Sequence, residues 1–160
     1  MTPADFRSLM ARFPTGVAVV ATVDSDGRPW GMTCASVCSV TIAPPTLLVC
    51  VRQHSRTLEA IMRSSRFAVN LLHDNAQATA ELFASGAPDR FDRVRWQLGP
   101  LDSGPHLYED AHAIADCLVS QTQLVGDHVV VFGNVSTVSQ APVPAAPLLY
   151  GLRRYASWPG

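Results

Sequence analysis

Thr33, Ser36, Ser39 and Thr41 place four hydroxyls in a stretch, Gly31 to Thr41, otherwise made of Met, Cys, Ala and Val. A strand that serves only a core carries Val, Ile or Leu at such positions. Hydroxyls in packed surroundings need partners. Either the neighbouring backbone or a polar ligand must meet them. Downstream, Gln53-His54-Ser55-Arg56-Thr57 adds a second cue. Ser55 suits the N-cap of a helix from Arg56 to Arg63, which places Arg56 and Thr57 in its first turn. A helix start offers free amides, and beside hydroxyls and an arginine it makes an anion site that phosphate commonly uses. A hydroxyl-lined strand leading into a phosphate-type loop points to a planar, phosphate-bearing cofactor.

The elements that must position these residues are mostly strands. Thr2-Pro3-Ala4-Asp5 is a compact helix start, with Thr2 as the cap and Pro3 at the first helical position. That helix runs to about Arg12, with Phe6, Leu9, Met10 and Phe13 on one face. Val17 to Val23 is an apolar, β-branched strand, and Asp24 to Pro29 a hairpin turn around Gly27. The next strand is expected from Trp30 to Ile42, stopped by Pro44-Pro45. Strict alternation along it would put Thr33 and Ser39 on one face and Ser36 on the other. Thr46 to Val51 is short and apolar, which predicts burial on both faces. Phe67 to Leu72 is another buried strand, and Asn75 to Ala84 a helix. Gly86 to Pro105 is a long, Gly/Pro-rich stretch holding Phe91 and Trp96. A loop of that length hints at function or a packed excursion. Ala111 to Gln123 and His128 to Ser139 are two adjacent strands, Leu148 to Leu152 a last one, and residues 153–160 a tail. Many strands, frequent hairpin turns and no dominant βαβ alternation predict an antiparallel β-barrel with peripheral helices.

The chain has 160 residues, 48% of them hydrophobic and 16% charged, which is one globular domain by length and composition. A formal net charge of -1 leaves no basic footprint, which argues against nucleic acid as a partner. No apolar run approaches a membrane span, and the N-terminus lacks the pattern of a signal peptide. The expected compartment is the cytoplasm. Cys34, Cys38, Cys50 and Cys117 lie in apolar runs and read as buried free thiols. No His or Cys nearby completes a zinc set, so no metal is expected. There is no G-x-G-x-x-G turn, so a nicotinamide nucleotide, if used, is not held as in a Rossmann fold.

Phe13-Pro14-Thr15-Gly16-Val17, Gly31-Met32-Thr33 with Ser36 and Ser39-Val40, Pro44-Pro45 and Ser55-Arg56-Thr57-Leu58 occur in that order. Phe67-Ala68-Val69-Asn70-Leu71-Leu72, Gly126-Asp127-His128, Pro147-Leu148-Leu149-Tyr150 and Arg154-Tyr155 follow. In order and spacing the set resembles the flavin reductase-like domain family across nearly the whole chain, residues 1–160. The resemblance implies a mainly β fold, a split Greek-key antiparallel β-barrel that binds FMN and carries peripheral helices. It also implies a homodimer with flavin near the subunit interface. The activity it implies is NAD(P)H-dependent reduction of FMN or FAD, supplying reduced flavin to a partner monooxygenase. Alternatives are a flavoprotein that keeps FMN as a prosthetic group, or a non-catalytic flavin-binding module.

The cofactor-binding set that follows is Thr33, Cys34, Ala35, Ser36, Ser39, Cys50, Val51, Gln53, Ser55, Arg56, Thr57, Phe83, Arg154 and Tyr155. Within it, Thr33, Ser36 and Ser39 serve the ring and Ser55, Arg56 and Thr57 the phosphate. His128 matches a family position close to flavin and nicotinamide and is the catalytic candidate. His73, His106 and His112 carry no such context and read as surface residues. No cluster in the sequence awaits a 2′-phosphate, which favours NADH over NADPH.

Overall fold

A capping box at Thr2 and Asp5 opens the first helix, and antiparallel strands dominate the chain that follows. The computed structural model describes residues 1–159. Helix α1 (Pro3–Ala11) precedes the two-residue β1 (Thr15–Gly16) and the hairpin of β2 (Ala18–Val23) and β3 (Pro29–Cys34). β4 (Cys38–Ile42) and β5 (Pro45–Arg52) form the next hairpin, followed by α2 (Arg56–Ser64), β6 (Arg66–Leu72) and α3 (Gln77–Ser85). Two 3₁₀ turns and the short pair β7 (Gln97–Leu98) and β8 (Pro105–His106) order the stretch after α3. The long β9 (Ala111–Val125) and β10 (His128–Gln140) come next, then β11 (Leu148–Gly151) and β12 (Arg154–Ser157).

Seven strands form the main sheet in the order β3-β2-β6-β9-β10-β5-β4. Its two edges, β3 and β4, are joined by only Ala35, Ser36 and Val37. Four Cα–Cα steps reach at most about 15 Å, whereas a flat seven-strand sheet would be about 29 Å wide. The sheet must therefore roll up, with the two edge strands meeting at a seam that carries no ladder. The result is a split barrel. Ser36 Oγ holds the seam by accepting from the Cys50 amide at 3.0 Å.

The apolar, β-branched run forms the expected strand as β2, and it is buried along its whole length on both faces. Val20, Val49, Val51, Phe67, Val69 and Val131 fill the barrel. Val19, Ala21, Leu72, Ala80, Phe83 and Phe91 form a second core between the barrel wall, α3 and the stretch that follows it. Gly31 permits that second contact: a Cβ there would meet Phe91 Cζ and the Val20 carbonyl at 3.0 Å each.

The structure departs from the expected elements at several places. The strand expected from Trp30 to Ile42 breaks at Ala35–Val37, because barrel closure turns the chain there. β5 buries Val49 and Val51 on one face, while Leu48 and Cys50 on the other are half-buried. The tail gains β12, which pairs with β11. The apolar stripe of α1 faces outward, with Phe6, Leu9, Met10 and Phe13 all exposed. Cys38 is exposed on the edge strand β4 rather than buried. His106 is buried, 5% exposed, because Asp116 on β9 meets its ring. The other two, His73 and His112, are half-buried.

Candidate functional site

Two clefts open along β3 and share Met32. The first, about 740 Å³, lies between the start of β3, the loop into α2 and the end of α3. Ser55, Arg56 and Thr57 line it, with Arg52 and Phe83. The second, about 980 Å³, lies along Thr33–Cys38 and Cys50, closed by Met10 and Phe13 near α1 and by Tyr150 and Arg153. Both volumes fall in the range of small-molecule sites, roughly 300–1,000 Å³.

The local sequence explains the first cleft. Ser55 caps α2, accepting from the Leu58 amide at 3.1 Å, while the Glu59 amide reaches the Ser55 carbonyl at 3.1 Å. The amides of Arg56 and Thr57 then remain as free donors at the helix start. Thr57 is 3% exposed, and its hydroxyl makes no hydrogen bond among the described residues. No side-chain oxygen sealed from solvent lacks a partner among the described residues, so this hydroxyl opens into the cleft. A buried hydroxyl without a protein partner, beside two free amides and arginines, fits a phosphate oxygen. Arg56 is mostly exposed and lies 3.7 Å from Glu59, so its charge is partly engaged already.

In the second cleft the Thr33 and Ser36 hydroxyls are held by backbone. Thr33 donates its hydroxyl to the Ala80 carbonyl at 2.5 Å, leaving its lone pairs to a ligand. Ser36 bonds both Cys50 backbone groups and lies 3.1 Å from Cys34 Sγ. Burial pushes the Cys34 thiol up, so it stays protonated and unreactive. Ala35 is exposed in the seam link and offers its backbone. A planar ring fits such a groove, whose contacts are backbone, thiol and half-satisfied hydroxyl.

Other sequence candidates fall beside the clefts. Ser39 is exposed on β4 and lines neither. The Val51 side chain is in the barrel core, so only its backbone faces the loop. Gln53 is half-buried, its amide bonded to the Asp127 carbonyl at 2.9 Å. Phe83 is on the wall of the first cleft, edge-on to Phe91 with centroids 4.9 Å apart. Arg154 is exposed and Tyr155 packs at a tilt against Tyr150, ring centroids 5.0 Å apart; it is their neighbours Arg153 and Tyr150 that line the second cleft. His128 lines neither cleft but pairs directly across from Arg52. Opposed residues in an antiparallel ladder share a face, so His128 stands beside Arg52 at the rim. Its Nδ1 lies 2.7 Å from Asp127 Oδ1. A carboxylate only accepts, so Nδ1 carries the proton and Nε2 is free. That hydrogen bond holds Asp127 below the usual carboxylate range.

The sequence reading passed over Arg28, Trp30, Met32, Arg52 and Arg90. Arg28, Trp30 and Met32 are near neighbours in the chain, but Arg52 and Arg90 are distant from them and join them only once the sheet is rolled. Arg52 alone carried a local signal, as a charge ending an apolar strand just before the loop.

The model of the flavin reductase-like domain matches residues 10–159. The chain is 49% identical over 158 residues to a flavin reductase (NADPH) of Lentzea aerocolonigenes, covering 99% of this chain and 91% of that one. It is 38% identical over 149 residues to HsaB of Mycobacterium tuberculosis, the reductase subunit of a flavin-dependent monooxygenase, covering 92% of this chain and 78% of HsaB. Among solved structures, the NADH:FAD oxidoreductase SgcE6 of Streptomyces globisporus C-1027, in complex with NAD and FAD fragments, aligns with a TM-score of 0.89. That match has 31% identity and covers 98% of this chain and 92% of the other. The chain belongs to the flavin reductase-like domain family.

Proposed function

We propose that this member of the flavin reductase-like domain family is an NAD(P)H-dependent flavin reductase of one domain, acting on FMN or FAD and passing reduced flavin to an oxygenase. The observation that carries the reading is the junction at Met32 of a phosphate-type cleft with a ring-sized one. When bound, the flavin supplies the chemistry, accepting a hydride from a nicotinamide. The chain's own part is to bind, orient and exclude water. The free amides of Arg56 and Thr57, the Thr57 hydroxyl and Arg52 hold the phosphate. Thr33, Cys34 and Ala35, with Ser36 through the backbone it braces, define the edge against which the ring lies. His128, oriented by Asp127, presents Nε2 at the rim, where it hydrogen-bonds the nicotinamide portion.

The outward stripe of Phe6, Leu9, Met10 and Phe13 supports a homodimer, because a stripe of that size needs cover. Met10 and Phe13 also line the ring cleft, so a second copy seated there would complete it. No helix among the described residues is long and apolar enough to cross a membrane, and the cytoplasm is the proposed compartment.

The test is oxidation of NADH and NADPH by the purified protein with added FMN or FAD. Turnover that scales with free flavin is the expected result. A protein that stays yellow through dialysis and ignores added flavin would instead hold its flavin as a prosthetic group. No nucleotide oxidation with any flavin would overturn the reductase reading.

A further inference from the structure

The first cleft holds more positive charge and more room than one phosphate uses. Arg28, Arg52, Arg56 and Arg90 all line it, four of the twelve arginines of a chain with no lysine and a net charge of -1. Asp92 is the acidic side chain on its wall. Among the described residues, Arg56 alone of the four pairs with a carboxylate. The phosphate-type donors, Arg56 and Thr57, sit at the loop side. Arg28, Trp30 and Arg90 stand along the start of β3 and the turn after α3.

That second end is built, not merely exposed. Asp24 accepts from the Arg28 and Asp26 amides at 2.9 and 3.0 Å and from Trp30 Nε1 at 2.9 Å, which fixes the hairpin and the indole together. The Arg28 guanidinium lies over that indole, 4.7 Å from the ring centroid. Arg90 donates Nε to the Gly31 carbonyl at 3.0 Å and Nη1 to the Ala87 carbonyl at 2.8 Å. Its Nη2 is left without a protein partner among the described residues. The two guanidinium groups are thus held in place by neutral groups, and their remaining N–H donors have no protein partner among the described residues. A planar guanidinium stacked on an indole offers its outer plane to a purine and its N–H edge to a phosphate.

We propose that the Arg28–Trp30–Arg90 end of this cleft is a subsite for a phosphorylated adenosine, the half of a dinucleotide that lies beyond the flavin monophosphate. The proposal rests on the flavin-reductase reading for its location. Two dinucleotides carry such a group: FAD, through the adenylate after its pyrophosphate, and NADPH, through its 2′-phosphate. The NADPH alternative runs against the expectation from sequence that nothing awaits a 2′-phosphate, and the experiment decides between the two dinucleotides.

The experiment compares wild type with Arg28→Ala, and with Trp30→Ala as a second variant. Each is checked by thermal melting and titrated with 2′,5′-ADP and 5′-AMP, without flavin or turnover. FMN and FAD affinities and NADH and NADPH kinetics are measured alongside. Charge-assisted contacts of this kind predict a loss of roughly tenfold or more in binding of one adenosine phosphate. One ratio should fall with it: FAD to FMN affinity if FAD is the occupant, NADPH to NADH efficiency if NADPH is. Wild-type protein that binds neither adenosine phosphate, or variants that leave both ratios unchanged, would overturn the subsite. A chain that binds 2′,5′-ADP through Arg28 but reduces no flavin would sink the reductase reading and leave the subsite standing. The reverse pattern would do the opposite.

Discussion

Two polar regions of this molecule use similar residues to opposite ends. Around Asp116 on β9, every group is met by protein. Its carboxylate takes His106 Nε2 at 2.7 Å and the hydroxyls of Ser103 and Thr137. Asn70 beside it donates to the Val19 and Pro105 carbonyls and accepts from the Leu107 amide at 2.8 Å. Around Thr57, by contrast, a nearly buried hydroxyl, two amides and the Arg52 guanidinium find no protein partner among the described residues. Both regions pay for burying polar groups, but the first recovers the cost within the chain. The second is left to recover it from a ligand. Open hydrogen-bonding capacity, more than residue type, separates a binding site from a structural knot.

If that contrast holds, the largest effects on stability should come from the closed region. Asp116→Ala strands His106, Ser103 and Thr137 together. Breaking a buried charge-assisted network costs about 3 kcal/mol, which lowers Tm by about 6–12 °C in a chain of this size. FMN affinity of the folded variant should be unchanged. Calorimetry beside flavin titration checks both, and a variant that melts like wild type would break the comparison.

Acid probes the same knot. Burial raises the Asp116 carboxyl, but the bonds from His106, Ser103 and Thr137 outweigh it and the net shift is downward. A carboxylate lowered by folding stabilises above its unfolded pKa of about 3.9. That stabilisation is lost as pH falls through the lower folded value. Melting temperature should therefore drop more steeply below about pH 4 in wild type than in Asp116→Asn. Parallel curves would show that Asp116 does not drive the acid limb.

The open region should respond in binding and rate. His128→Ala removes the free Nε2 at the rim. It should lower kcat/KM for the nicotinamide nucleotide about tenfold, or roughly 1.4 kcal/mol, with flavin Kd within about threefold of wild type. Loss of flavin affinity instead would move His128 into the flavin site. Arg56→Ala should weaken FMN only about threefold, because a mostly exposed charge already near Glu59 adds little.

Much of this architecture was legible locally. Thr2, Pro3 and Asp5 mark the start of α1, Ser55 marks the cap of α2, and the β-branched Val17–Val23 run marks a strand. Each depends on neighbours within a few residues. The break at Ala35–Val37 was not legible, because it answers to closure of a seven-strand barrel rather than to its own propensities. The burial of His106 depends on Asp116, which reaches it only through the register of β9 against β6 and β10. In the clefts, the hydroxyls of Thr33, Ser36 and Thr57 stood out by type. Which of them stays open did not, since Thr33 is engaged by a carbonyl of α3 and Ser36 by β5. The convergence of Arg28, Arg52 and Arg90 belongs to the same class: Arg52 alone has a local trace, and nothing local shows what it meets.

The most direct test of the account is the effect of Thr57→Val on the affinities for FMN and for riboflavin, which lacks the phosphate. The substitution keeps the shape and removes the one buried hydroxyl that the protein leaves open among the described residues. Loss of a charge-assisted hydrogen bond predicts FMN binding weaker by roughly tenfold or more, with riboflavin binding unchanged. Equal weakening of both ligands, or no change in either, would contradict a phosphate site at the start of α2.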